Sequence, residues 1–326
     1  MRIVITGGCG FLGRRVAIRL LEQGTGQGPI DELVLFDNAA PALPLPEDRR
    51  VRLVTGDIAD RDTVTGLIGP GTDAVFHLAA IVSGEAEANT DLGYRVNLDG
   101  TRGVLDACRA LGTSPRLVFA SSLAVYGGVL PPAVGDDTAL TPQTSYGTQK
   151  AIGELLVGDY SRKGFVDGRA LRLPTVVVRP GRPNRAASTF ASSIIREPLA
   201  GRDAVCPVSP ETVMALASPR RIVAGLVHAL DIPAEAFGAS RSLQLPGFSV
   251  SVGEMIAALR RIGGEAAYAR VAWRPDPTIQ AIVSGWPRAL ATPRAEAMGF
   301  GRDSGIDEVV QAFIEDDLPS QRQIAG

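Results

Sequence analysis

The most constraining feature of this 326-residue chain is its opening, where the apolar run Arg2–Thr6 meets Gly7-Gly8-Cys9-Gly10-Phe11-Leu12-Gly13. The apolar run predicts a first β-strand, and Phe11–Gln23, with Leu12, Val16, Leu20 and Leu21 at helical spacing, predicts the helix that follows. Glycines at 7, 10 and 13 allow a tight turn, let backbone approach a pyrophosphate, and let strand and helix pack closely. A phosphate would then rest on free N–H groups at the positive end of the helix.

The same alternation continues. Strands are expected at Glu32–Phe36, Val51–Val54, Ala74–His77, Arg116–Ala120 and Ala170–Leu173, with a crossover helix at Asn97–Leu111. The expected fold class is therefore α/β, a Rossmann-type doubly wound parallel sheet followed by a smaller C-terminal substrate-binding lobe. Beyond Leu173, Pro174, Pro180 and Pro183 break the alternation, leaving helices such as Arg220–Leu230 and Val252–Arg261. The division expected is 1–175 for the dinucleotide-binding domain, which also receives part of 205–245, and 176–326 for the lobe.

The second strand ends in Asp37, 24 residues after Gly13, where a carboxylate accepts hydrogen bonds from an adenosine ribose. Its charge repels a 2′-phosphate, and Asn38-Ala39-Ala40 bring no arginine to offset this, so NAD is expected over NADP.

Charge excludes other functions. The balance of 33 basic and 35 acidic side chains leaves a net charge of −2, with no basic field for nucleic acid. No apolar stretch approaches the length of a membrane span, and the first strand is too short for a signal core, so a cytoplasmic protein is expected. Cys9, Cys108 and Cys206 lack metal-ligand spacing and read as free thiols. With only His77 and His228, no metal site is expected; both read as packing residues, as does Tyr126.

Among five tyrosines and two lysines, Tyr146 precedes Lys150 by four positions. On a helix this places both on one face, where an ammonium stabilises a phenolate and pulls the phenol pKa down, so that Tyr146 acts as general base. Ser122, at the end of the fifth strand, is placed to hydrogen-bond the substrate oxygen as hydride leaves, and is preferred to Ser121.

The ordered set Gly7/Gly10/Gly13, Gly56-Asp57-Ile58, His77-Leu78-Ala79-Ala80, Asn97, Ser121-Ser122 before Val125-Tyr126-Gly127, and Tyr146 with Lys150 resembles the extended short-chain dehydrogenase/reductase family over residues 1–180. The resemblance implies a catalytic Ser122, Tyr146 and Lys150. It implies adenine contacts from Asp57 and Ile58, a cofactor cleft lined by Phe11, Leu12, Leu78, Ala79, Ala80 and Pro174, and an Asn97 that supports the active-site helix.

Nucleotide-sugar members carry an Asn-Val-Tyr-Gly-Pro-like segment after the sixth strand, whereas this chain reads Arg179-Pro180-Gly181-Arg182-Pro183-Asn184-Arg185. Its second departure is Met214-Ala215-Leu216-Ala217-Ser218-Pro219-Arg220. The full chain is most similar to a branch that oxidises a four-carbon sugar acid at C2. A small acid needs a carboxylate clamp, and Arg179, Arg182 and Arg185 lie together where the lobe starts, with Arg182 ranked before Arg179. Ser83 and Thr175 are further candidates for substrate contact. The alternatives are a nucleotide-sugar 4-epimerase with tightly bound NAD, and an NAD-binding regulatory protein, which would lack the catalytic group. Family members commonly pair through two helices, here Asn89–Leu111 and Tyr146–Arg162, where Ile152, Leu155, Leu156 and Tyr160 offer apolar surface, so a homodimer is expected.

Overall fold

The computed structural model describes residues 1–41, 44–45, 47–182 and 187–325, the side chains of 323–325 excepted. Six strands, β1 (Arg2–Thr6), β2 (Glu32–Asp37), β3 (Val51–Thr55), β4 (Thr72–His77), β5 (Arg116–Ser122) and β6 (Asp167–Leu173), form a parallel sheet in the order β6-β5-β4-β1-β2-β3. All six expected strands are present, each extended by at most three residues at an end beyond its apolar run.

The alternation within β1 decides which layer each side chain joins. Ile3 and Ile5 face one side with Val16 and Leu20 of helix Phe11–Gln23, and Leu226 and Leu230 of helix Pro219–Asp231 pack into the same layer. Val4 faces the other side, with Val104 and Leu105 of helix Gly100–Leu111 and Val157 of helix Ser145–Arg162. Covering a parallel sheet on both faces removes its apolar strands from water at roughly 25 cal/mol per Å².

The expected helix Asn89–Leu111 is broken. Asn89 caps a short helix, Thr90–Gly93, by accepting from the Leu92 N–H, and Tyr94–Asp99 form a π-helical stretch before the α-helix Gly100–Leu111. Glycines 93 and 100 flank that stretch, at points where a Cβ would meet the Gln149 side chain and Ile58.

Past Leu173 the chain makes β7 (Thr175–Val176), β8 (Ala204–Cys206), β9 (Val213–Ala217), β10 (Ser242–Gln244), β11 (Phe248–Ser251) and β12 (Val271–Trp273). Strand β10 pairs parallel with β6 as the seventh strand of the main sheet, so helix Pro219–Asp231 and β10 return to the first layer. The other strands build two small sheets, β11-β9-β7 and β12-β8, over a separate core that includes Val177, Ile194, Met255, Leu259 and Phe313. Among the described residues no helix is long and apolar enough to cross a membrane.

Strand order reverses at β1, between β4 and β2, which opens a crevice beyond the carboxyl ends of the strands. The ends of β1 and β4 are tied there by the Thr6 hydroxyl and His77 Nδ1, 2.7 Å apart.

Candidate active site

A cleft of about 1150 Å³ opens at that switch point and runs into the second lobe. Its first wall is the glycine turn. Gly7 has φ +70°, and a Cβ there would lie 2.8 Å from the Ala79 nitrogen; at Gly13 a Cβ would lie 2.1 Å from the Gly7 carbonyl oxygen. The loop therefore fits only as glycine, and its backbone forms the cleft floor. Gly10 begins helix Phe11–Gln23 with no side-chain cap and no acidic residue in the first turn, so the N-terminal N–H groups keep their capacity for an anion.

The adenosine end is built from the tips of β2 and β3. Asp37 Oδ2 accepts from the Cys9 N–H at 3.0 Å and Oδ1 from the Asn38 N–H at 2.8 Å, which fixes the carboxylate at the cleft edge. Asp57 accepts from Arg95 at 2.7 Å, and Ile58 is buried beside it. Phe11, Leu12, Leu78, Ala79, Ala80 and Pro174 line the same cleft, so the residue set fits a dinucleotide along its length. Such a cofactor, when bound, supplies an acceptor for hydride.

The catalytic candidates converge from two elements. Helix Ser145–Arg162 starts at Thr144, whose hydroxyl accepts from the Gly147 N–H, and close approach of this helix to the turn after β5 requires Gly147: a Cβ there would lie 2.0 Å from the Ala124 carbonyl oxygen. Tyr146 thereby faces Ser122, whose hydroxyl accepts from the Ala124 N–H at 3.1 Å and acts on the phenol. Ser121 turns away into the protein and donates to Glu154. Lys150, 3% exposed, lies behind the cleft wall, donates to the Ala120 carbonyl at 2.7 Å, and has its ammonium 5.7 Å from the Tyr146 ring centre. Burial pushes its pKa down to about 8, with Glu154 opposing the shift.

The electrostatics of Tyr146 differ from the expectation. Burial raises its pKa; the Ser122 hydrogen bond and the Arg179 charge pull the other way. Arg179 thus joins Lys150, which is held by the Ala120 carbonyl against the Tyr146 ring, as a second cation near the phenol. Asn97, buried, accepts from the Ile81 N–H at 2.7 Å and donates to Gln149 at 2.8 Å, joining the π-helical stretch to the catalytic helix. His77, bonded through Nε2 to Thr101 at 2.9 Å, is held neutral, its pKa lowered to about 3 by burial and then by Lys150. His228 is bonded to the Met298 carbonyl. Among the described residues no His, Cys, Asp and Glu cluster suits a metal ion.

The far end of the cleft is walled in part by the second lobe, and Ser83, Thr175, Arg179 and Arg182 all line the cleft. Arg182 is exposed at the rim, whereas Arg179 is half-buried, its guanidinium donating to the Ser188 hydroxyl at 3.2 Å and its backbone N–H to Ser192 at 3.1 Å. No carboxylate pairs with Arg179 among the described residues; burial and the neighbouring Arg196 charge lower its pKa. Arg196 in turn donates to the Arg179 carbonyl at 2.7 Å and is paired with Glu197. Arg185 lies outside the described residues. Ser188, Ser192 and Arg196 escaped the sequence reading, because only the packing of helix Thr189–Leu199 brings them to Arg179.

Such a cleft, with its glycine turn, the Asp37 carboxylate at its edge and the Ser122, Tyr146 and Lys150 group, defines a dinucleotide-dependent enzyme of the short-chain type. Residues 3–231 match the model of the NAD dependent epimerase/dehydratase family, and the chain belongs to that family. It is 55% identical to the D-erythronate dehydrogenase of Cupriavidus necator, covering 97% of this chain and 98% of that one. The D-erythronate dehydrogenase of Haemophilus influenzae is 48% identical over 98% of this chain and 100% of its own. Among solved structures, a nucleoside-diphosphate-sugar epimerase from Agrobacterium tumefaciens superposes with a TM-score of 0.93 at 45% identity, covering 98% of this chain and 95% of that one.

Proposed function

We propose that this chain oxidises the C2 hydroxyl of D-erythronate to give 2-oxo-tetronate, with NAD as hydride acceptor. Residues 1–175, with part of 205–245, would carry the dinucleotide, and the rest of 176–326 would form the substrate lobe. The observation that carries this reading is the half-buried Arg179 guanidinium acting on the Tyr146 phenol without a carboxylate of its own among the described residues. In a 2-hydroxy acid the reacting alcohol and the carboxylate sit on adjacent carbons, so a base and a cation side by side match both groups at once.

In this reading Tyr146 takes the hydroxyl proton as hydride leaves C2, Ser122 donates to the substrate oxygen, and the Lys150 ammonium favours the phenolate. Arg179 holds the carboxylate, helped by Ser188, and Arg182 contributes at the rim. Asp37 favours NAD over NADP by repelling a 2′-phosphate. The names of the two curated relatives support the substrate. The name of the structural neighbour supports a second reading, a nucleotide-sugar epimerase, in which NAD stays bound and free cofactor is not consumed. Supplying C4–C6 sugar acids and nucleotide sugars with free NAD separates the two: steady NADH formation with a C4 acid fits the dehydrogenase, and its absence sinks that reading.

The same reading includes a two-fold homodimer. Leu155 on helix Ser145–Arg162 is 71% exposed, while Leu156 and Tyr160 pack largely onto their own sheet. The apolar surface left for a partner is narrower than the sequence pattern implied, and is centred on Leu155.

A further inference from the structure

Behind Lys150 the protein buries an ion pair that the reaction itself does not use. Glu154 lies one helical turn beyond Lys150 on the same face, is 3% exposed, and accepts at both oxygens. Arg172, next to the carboxyl end of β6 and 5% exposed, donates to Glu154 through Nε at 3.0 Å and through a terminal nitrogen at 2.8 Å, and Ser121 donates to Glu154 as well. The other guanidinium nitrogen of Arg172 donates to the Tyr126 hydroxyl at 2.7 Å and to the Asp136 carbonyl at 3.3 Å. The Tyr126 hydroxyl in turn donates to the Gly135 carbonyl at 2.8 Å.

A buried pair of this kind contributes little net stability, because desolvating both ions offsets their attraction. Its effect is on local charge. Arg172 offsets much of the Glu154 charge, so the Lys150 ammonium keeps a positive charge beneath Tyr146.

We propose that Glu154 is a positioning residue for the Tyr146–Lys150 pair: matched against Arg172, it sets the field in which that pair shares its proton. Lys150 lies against the Tyr146 ring and one turn before Glu154 on its own helix, donates to the Ala120 carbonyl of β5 and acts on His77 of β4, while Ser121 of β5 and Arg172 of β6 bond to Glu154. His77 is neutral and Arg179 acts on Tyr146 alike in every variant below, so Glu154 and Arg172 are the permanent charges that bias the pair from behind. Protons leave Tyr146 and Lys150 as a coupled pair, whose productive form is phenolate with ammonium. Removing the negative charge alone leaves Arg172 to favour proton loss and draw the lysine towards its neutral form. Removing the positive charge alone leaves Glu154 to hold protons on the pair.

The two changes therefore move the pH dependence in opposite directions. This inference rests on Tyr146 and Lys150 being the proton-handling pair. The test is the pH profile of kcat/KM for NAD-dependent oxidation of D-erythronate by the full-length wild type, Glu154→Gln, Arg172→Gln and the double variant. Glu154→Gln is expected to shift the rising limb about 1 pH unit lower with a reduced maximum, Arg172→Gln about 1 unit higher, and the double variant to lie near wild type. A purely structural pair would lower activity without a signed shift. Limbs that stay in place, or move in the same direction, overturn the inference; if one single variant fails to fold, the sign from the other and the rescue in the double variant decide it. Tyr146→Phe and Lys150→Met are measured alongside: activity retained in both would topple the underlying reading, whereas their loss with unmoved limbs would topple the positioning role alone.

Discussion

Ser121 and Ser122 are consecutive at the end of β5 yet face opposite sides of it, the first hydroxyl bonded to Glu154 inside the protein and the second facing Tyr146 in the cleft. Strand alternation, not the side chain itself, thus decides which serine meets substrate. Ser122→Ala is expected to lower kcat about 10²–10³-fold with NAD binding kept, since it deletes a donor to the developing oxyanion. Ser121→Ala is expected to cost about 1 kcal/mol of stability with kcat nearly unchanged. Urea melts and steady-state kinetics of both check the assignment; equal kinetic losses would contradict it.

The second expectation concerns which arginine holds the acid. The sequence ranks Arg182 first because it lies in a Gly-Pro turn, but that side chain is exposed, whereas Arg179 is half-buried against Ser188. A charge withdrawn from water binds a carboxylate more strongly than one at the rim. Arg179→Ala should raise KM for the acid about 100-fold or more, and Arg182→Ala less than about 10-fold. Arg179→Lys should recover only part, since it lacks the bidentate fork. The reverse order of KM effects would move the clamp to Arg182.

Cofactor choice gives the third. Asp37 is held at the cleft edge by the N–H groups of Cys9 and Asn38, so its carboxylate has a fixed position. Asp37→Ala should weaken NAD and narrow the NAD/NADP ratio of kcat/KM by about 10-fold or more, because one change removes both a ribose acceptor and a repulsive charge. An unchanged ratio would mean that another residue selects the cofactor.

Assembly gives the fourth. With Leu155 exposed at the middle of the helix Ser145–Arg162 surface, Leu155→Glu is expected to convert a dimer to a monomer in light scattering at micromolar concentration. A wild-type monomer, or a variant that remains dimeric, would place the interface elsewhere.

The first lobe was legible because its signals are local. Ile3, Val4 and Ile5 form an unbroken apolar run since both faces of β1 are covered, and Gly7 and Gly13 occupy positions that exclude a Cβ. The Tyr146–Lys150 spacing needs only a helix. The break at Tyr94–Asp99 was not legible, because helical periodicity passes through a π-turn almost unchanged. The upward push of burial on the Tyr146 pKa was not legible for a different reason: it depends on tertiary packing, and a second acting cation, Arg179, comes from a segment 33 residues away. The Glu154–Arg172 pair had a faint signal, an arginine inside the apolar strand Ala-Leu-Arg-Leu and a glutamate four residues past Lys150, but nothing local says that the two meet.

The central claim is hydride removal from C2 of a small sugar acid with Tyr146 as base, and isotope transfer tests it most directly. D-erythronate deuterated at C2 is incubated with free NAD and the protein, and the NADH formed is examined by mass spectrometry. Deuterium in the NADH at steady turnover, with the rate reduced about 10²–10⁴-fold in Tyr146→Phe, is the expected result. NADH without deuterium, or no consumption of free NAD while a nucleotide sugar is converted, would contradict it.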